Sequence, residues 1–181
     1  VANEPGVGAV YLFSGATRNL IRRIPGPVTA FGRTPEFGFE VARAGDVDND
    51  GRDDLLVGCP GHNSGNRIDN GAAFVYSGWN GALLLTLDGE AAHDMAGETV
   101  VGGVYWDEDG IADVAFGAPG VDDLGAMFGN GNNVGSVTIH SGGAGATITS
   151  IKGDAEGGAA GGGDGGDVSI GDMNGDGKPD V

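Results

Sequence analysis

The chain has 181 residues, of which 39 are glycine, and its 26 acidic against 9 basic side chains give a formal net charge of −17. Phosphate recognition needs a basic footprint, so this balance excludes nucleic acid as a partner, and no apolar run approaches the ~20 residues of a membrane helix, which excludes membrane insertion by that route. A single cysteine, Cys59, rules out an intrachain disulfide.

Glycine at this level, without a three-residue period, suits short strands and tight turns. Residues 1–5 carry neither the basic region nor the apolar stretch of an export signal; if the protein is exported, its signal has been removed or lies elsewhere. The first predicted strand is at 8–15 (Gly-Ala-Val-Tyr-Leu-Phe-Ser-Gly), rich in β-branched and aromatic residues and ending in a Ser-Gly turn. An apolar stretch at 20–24 follows, and the pair reads as a hairpin. The same unit returns at 71–78 with 83–87, and at 135–142 with 146–151. The starts are 63 and 64 residues apart, so the chain is a repeat protein with units at about 8–70, 71–134 and 135–181. No 3.6-residue period is sustained, so no helix is expected.

A second recurring element lies in phase with the first. In residues 46–54 Asp46, Asp48, Asp50 and Asp54 occupy loop positions 1, 3, 5 and 9, with Gly51 at position 6 and the carbonyl of Arg52 at position 7. The loop at 172–180 repeats this with Asp172, Asn174, Asp176, Gly177, the carbonyl of Lys178 and Asp180. The middle loop keeps Asp107, Asp109, Gly110, the carbonyl of Ile111 and Asp113, but has Tyr105 at position 1. Calcium takes about six to eight oxygens from carboxylates, amides and main-chain carbonyls, and alternating carboxylates around a glycine turn can wrap one ion. These residues are therefore the expected calcium ligands, with a weaker or water-completed site in the middle loop. Magnesium avoids all-protein oxygen cages, and zinc would need His or Cys in the loops. An EF-hand would need Glu at position 12, where Val57 stands inside a predicted strand.

Taken together these features resemble the FG-GAP repeats of integrin α-subunit β-propellers and their bacterial relatives. The resemblance rests on Phe37-Gly38, the Asp-x-Asp-x-Asp-Gly-x-x-Asp loops, the Gly58-Cys59-Pro60 and Gly117-Ala118-Pro119 ends, and the strand at 8–15. It implies an all-β fold of four-stranded antiparallel propeller blades, in a ring of roughly seven, with calcium between the first and second strands of a blade. The chain then carries about 2.8 repeats, and is either a partial propeller or part of a ring assembled from further blades of the same or another chain. Two positions depart from the pattern: Ala96-Gly97 replaces Phe-Gly in the second repeat, and a glycine-rich run at 161–166 stands there in the third. Cys59, where the family has a small residue, reads as a buried packing position.

The chemistry of catalysis is weakly represented. Ser14, Ser77 and Ser141 occupy one repeat position, which marks a turn and not a nucleophile, and no Gly-x-Ser-x-Gly elbow is present. The functional expectation is a calcium-binding, extracellular or cell-surface scaffold for adhesion. Its protein or glycan ligand would bind on the face opposite the acidic loops, where Phe31, His62, Phe128 and Asn130 lie on long connections. A propeller-type hydrolase with carboxylates from separate blades and a structural repeat of a surface polymer are the alternatives.

Overall fold

The structure, a computed structural model, describes residues 7–27, 34–122, 133–153 and 167–181. It is all-β: ten strands and no helix among the described residues, so none is long and apolar enough to cross a membrane. The strands form three antiparallel sheets. A two-stranded sheet pairs β1 (Ala9–Phe13) with β2 (Leu20–Pro25). A four-stranded sheet runs β3 (Val41–Gly45), β4 (Asp54–Cys59), β5 (Ala72–Tyr76), β6 (Leu83–Asp88). A second has the same order in β7 (Thr99–Val104), β8 (Asp113–Ala118), β9 (Ser136–His140) and β10 (Thr147–Lys152). These are a partial propeller: an outer strand pair, then two complete blades, then residues 167–181, where the third acidic loop is closed by a Gly171–Asp180 bridge. Every strand neighbour is the next in sequence, so each blade is a meander whose connections alternate between its two ends.

The three expected hairpins are present, and their turns share one construction. Ser14 N–H donates to the Asn19 carbonyl, Ser77 N–H to Ala82 and Ser141 N–H to Ala146. The serine carbonyls in turn accept from Arg18, Gly81 and Gly145, all three with left-handed φ. The serine hydroxyls cap the same turns, accepting from Thr17 N–H in the first and Asn80 N–H in the second. The serines are turn residues.

Burial follows the period of two that a pleated strand imposes. On one face of the second blade Leu56, Ala73 and Val75 meet Val100, Val114, Phe116 and Ala118 of the third. On the other face Val57, Cys59, Ala72, Phe74 and Tyr76 meet Ile24 of the outer pair and Phe37. The third blade turns Ala115, Val137 and Ile139 toward Val168, with Ile170 packed against them. The central strands β4, β5, β8 and β9 are covered on both sides, and so read as near-continuous apolar runs. The innermost strand β3 packs chiefly on β7. There Glu40 Oε2 accepts the Val100 N–H across the blade boundary, at 2.6 Å. Val168 and Ile170 supply apolar contacts in the third repeat; the glycine run at 161–166 lies outside the described residues.

The interface between the outer pair and the second blade is aromatic. Phe37 lies 5.9 Å from Phe74 and 6.0 Å from Tyr76, edge-on to the latter, a geometry that aligns ring edges with ring faces. His62 adds a fourth ring, edge-on to Phe74 at 5.3 Å, with its Nδ1 buried and unpartnered. Burial pushes the His62 pKa down, against a smaller upward pull from Asp88. The unfolded chain therefore takes up this proton at higher pH than the folded one. Stability from His62 is full above the ordinary histidine value near 6.5 and is lost as pH falls below it toward the lowered folded value. His62→Phe is expected to fold and to flatten this part of the curve; urea midpoints of both proteins between pH 7.5 and 5.5 measure the difference. Cys59 sits in the same cluster, its thiol donating to the Pro35 carbonyl at 2.9 Å. Its pKa is pushed up to about 12, first by burial, which makes it a packing residue and not a nucleophile.

Candidate metal centres

The acidic loops connect β3 to β4 and β7 to β8, at one end of the blades. Two inter-blade contacts place them side by side. Ala112 N–H donates to the Asp46 carbonyl at 3.4 Å, and Lys178 of the third loop pairs with Glu108 of the second at 3.3 Å. The chain enters left-handed φ at position 4 of each loop (Asn49, Glu108, Gly175) and again at position 6 (Gly51, Gly110, Gly177). These reversals make alternate side chains converge. Glycine at position 6 avoids the Cβ penalty, whereas Asn49 and Glu108 bear it.

In the first loop Asp46, Asp48 and Asp54 each offer a carboxylate oxygen, all within 4.8 Å of one another. Oxygens on one calcium at about 2.3–2.6 Å are separated by no more than roughly twice that, so the cluster has the dimensions of a single-ion site. Asp50 carries a second sign: its Oδ2 is buried with no hydrogen-bond partner. Asp48 has its pKa raised by desolvation first, then by the charges of Asp54, Asp50 and Asp46. Crowded carboxylates of this kind suit a hard divalent cation. Asp107, Asp109 and Asp113 form the same cluster in the second loop. There burial is the main cause that raises the Asp113 pKa.

Backbone amides already occupy many carboxylate lone pairs. Asp46 accepts from Asp50 N–H and Gly51 N–H, both at 2.9 Å. Asp172 accepts from Gly175, Asp176 and Gly177. Tyr105, half exposed at the corresponding place, offers no carboxylate for these donors, so the second loop lacks this part of its scaffold. The position-7 residues Arg52, Ile111 and Lys178 donate their N–H to Asp50, Asp109 and Asp176 at 2.9, 2.7 and 2.8 Å. In the third loop Asp172, Asn174, Asp176 and Asp180 are joined by hydrogen bonds, Asn174 Nδ2 donating to Asp176 and Asp180. That loop is more exposed than the other two.

Position 9 has a role that reading the ligands alone misses. Asp54 Oδ2 accepts from Val47 N–H at 2.8 Å and Asp48 N–H at 3.4 Å, while Oδ1 accepts from Gly78 N–H at 2.9 Å. Asp113 does the same for Trp106, Asp107 and Gly142. Gly78 and Gly142 are the glycines of the Ser-Gly turns, so each position-9 carboxylate ties its acidic loop to the next hairpin. The in-phase spacing of Asp and Ser-Gly was the available signal.

At the other end of the blades one of the expected recognition residues, His62, is less accessible than a surface site requires. His62 is turned inward against Phe74, its side chain only 14% exposed. Phe31, Phe128 and Asn130 lie outside the described residues.

Known sequences agree with this architecture. The FG-GAP repeat family model matches residues 37–76, which run from Phe37 through the first acidic loop to the end of β5. Human Integrin alpha-6 is 34% identical over 101 residues, 54% of this chain and 9% of that protein. Mouse Integrin alpha-E is 31% identical over 91 residues, 45% of this chain and 8% of that protein. Drosophila melanogaster Integrin alpha-PS5 is 31% identical over 128 residues, 64% of this chain and 12% of that protein. The chain thus spans about a tenth of the length of these relatives. With its blade topology and its in-phase acidic loops, the chain carries an FG-GAP repeat at residues 37–76 and is similar to integrin α subunits over about half of its length.

Proposed function

We propose that the acidic loops bind calcium and that the chain is an extracellular, adhesion-type propeller segment, non-catalytic, presenting a protein or glycan ligand site at the end opposite those loops. The observation that carries this reading is the convergence of three carboxylates in each of the first two loops, with the orphaned Asp50 oxygen beside the first. The expected ligands are the side chains of Asp46, Asp48, Asp50 and Asp54 with the Arg52 carbonyl; of Asp107, Asp109 and Asp113 with the Ile111 carbonyl; and of Asp172, Asn174, Asp176 and Asp180 with the Lys178 carbonyl. A bound cation would relieve like-charge crowding within each loop and offset part of the net charge of −17. Millimolar calcium outside cells suits sites of modest affinity. The surface setting and the binding role are supported by the integrin relatives. The repeat units at 8–70, 71–134 and 135–181 would each supply half of two neighbouring blades, further blades coming from the same or another chain.

Thermal melting with calcium, magnesium and chelator tests the core of this reading. A ligand at 100 times its dissociation constant adds about 2.7 kcal/mol. For a chain of this size that is roughly 5–10 °C in Tm. Calcium is expected to give such a shift, magnesium a smaller one, and Asp48→Asn to diminish the response. Identical melts in calcium and chelator would overturn it.

A further inference from the structure

The first two acidic loops are joined by a link that the third cannot make. The Asp46 carbonyl accepts the Ala112 N–H at 3.4 Å, across the boundary between the second and third blades. Asp46 is position 1 of the first loop and supplies one of its three convergent carboxylates. Ala112 is position 8 of the second loop. It stands between Ile111, whose carbonyl is an expected ligand, and Asp113, a member of the second carboxylate cluster. One hydrogen bond therefore runs from the backbone of one candidate site to the backbone of the other. The corresponding donor in the third loop would be Pro179. Proline has no N–H, so the same bond to the Tyr105 carbonyl cannot form. The second and third loops share the Lys178–Glu108 pair, whose side chains are each 71% exposed, and a pair of that kind holds little.

Packing removes the slack around the link. Gly45 precedes Asp46, and Gly103 lies two residues before Tyr105, at matching irregularities in the β3–β4 and β7–β8 registers. Both glycines have left-handed φ, +80° and +79°. A Cβ on Gly45 would lie 2.5 Å from the Ala112 Cβ and 2.9 Å from the Gly103 Cα, closer than such atoms approach. The Gly45–Asp46 peptide thus lies directly against the frame of the second loop. Ala44 and Val47 on either side of it, and Val114 next to Asp113, are buried in one apolar cluster. Ala112 itself is fully buried. Interiors packed this closely transmit displacement, so a shift of Asp46 passes to Ala112 and hence to Ile111 and Asp113.

We propose that the first two loops take up calcium as a coupled pair, with Ala112 the positioning residue between them, and that the third loop binds independently. The proposal rests on the calcium reading above and adds regulation to it. Drawing Asp46, Asp48 and Asp54 onto one ion fixes the Asp46 peptide. Through Ala112 it also fixes the segment that carries two ligands of the second site. The second ion then meets a loop that is already ordered. Coupling between two sites is reciprocal, so each ion strengthens the other by the same factor. Repulsion between the two ions acts the other way and is screened by salt.

Calcium titration of the nitrogen-15-labelled chain, followed by NMR at about 0.3 M salt, tests it. The position-6 amides of Gly51, Gly110 and Gly177 report the three loops separately. Ala112→Pro gives the second loop the third loop's own residue and leaves every charge in place. It is expected to raise the calcium midpoint at Gly51, in a loop where nothing has been changed, by about fivefold or more, and to leave the midpoint at Gly177 where it was. A role confined to its own loop would move Gly110 alone. If this variant does not fold, Asp48→Asn and Asp109→Asn decide the matter. The first should raise the midpoint at Gly110 by a factor similar to that by which the second raises it at Gly51. Gly51 unmoved in Ala112→Pro, or neither loop responding to damage in the other, would overturn the coupling and leave the calcium reading intact. No response of any of the three amides to calcium would overturn the calcium reading, and this proposal with it.

Discussion

Asp54→Ala is expected to cost about 3 kcal/mol even in chelator, where no cation contributes. Asp54 is 3% exposed and its two oxygens accept three backbone N–H groups. Removing the carboxylate leaves those donors without partners, and an unsatisfied buried donor costs about 1–3 kcal/mol. The Val47 amide is the most deeply buried, and the Gly78 amide belongs to a turn two strands away, so loop and hairpin are both released. The neighbouring Asp53 is the control. It pairs with Arg43 at 2.8 Å, but both side chains are more than half exposed. A pair of that kind contributes on the order of 0.5 kcal/mol or less, so Asp53→Ala should be near neutral. Urea denaturation of both variants in chelator separates the cases, and adding calcium should stabilise Asp53→Ala as it does the parent but not Asp54→Ala. A loss below about 1 kcal/mol for Asp54→Ala would mean that water replaces the carboxylate at little cost.

The sequence carried the strands and the loops well because both are local. Period-two patterning and Ser-Gly ends define β1, β5 and β9, and the acidic loops declare themselves by spacing and by the glycine at position 6. What it did not carry is pairwise and non-local. Phe37, Phe74 and Tyr76 are separated by up to 39 positions, and their meeting between blades is visible only once the faces are assigned. His62 illustrates the same limit: on a long connection a histidine reads as a recognition residue, yet the loop folds it back onto Phe74. Asp54 was legible as a ligand, but its tie to Gly78 depends on how a hairpin sits against a loop 24 residues away. Asn70 was passed over altogether. It is fully buried, accepts the Ser64 N–H and donates to the carbonyls of Gly71 and Gly89, holding the loop after β4 against the end of β6.

Gly97→Ala is expected to be the most damaging glycine substitution that can be cleanly controlled. Gly97 has φ of +84°, where an L side chain costs roughly 1–2 kcal/mol. A Cβ there would also strike the Ala72 carbonyl and approach the Cys59 nitrogen at 3.1 Å, both backbone atoms of the preceding blade. Gly58 faces it from β4, and a Cβ on Gly58 would strike the Gly97 carbonyl. The two glycines thus let the backbones of adjacent blades touch, which is the physical content of the Gly in Ala96-Gly97 and of the Gly in Gly58-Cys59-Pro60. Backbone cannot swing aside as a side chain can, so the blades would have to separate and loosen the apolar cluster around Leu56, Val75 and Val114. Gly110→Ala supplies the control: its φ is +85°, but nothing lies within 4 Å of the added carbon. In chelator, Gly110→Ala should lose only the conformational cost of roughly 1–2 kcal/mol, and Gly97→Ala about 3 kcal/mol or more. Equal losses would show that the blades accommodate the methyl group and that the close approach is incidental. A larger loss at Gly97, accompanied by faster amide exchange in both β4 and β7, would show that the contact between blades, and not the turn alone, is what the glycine preserves.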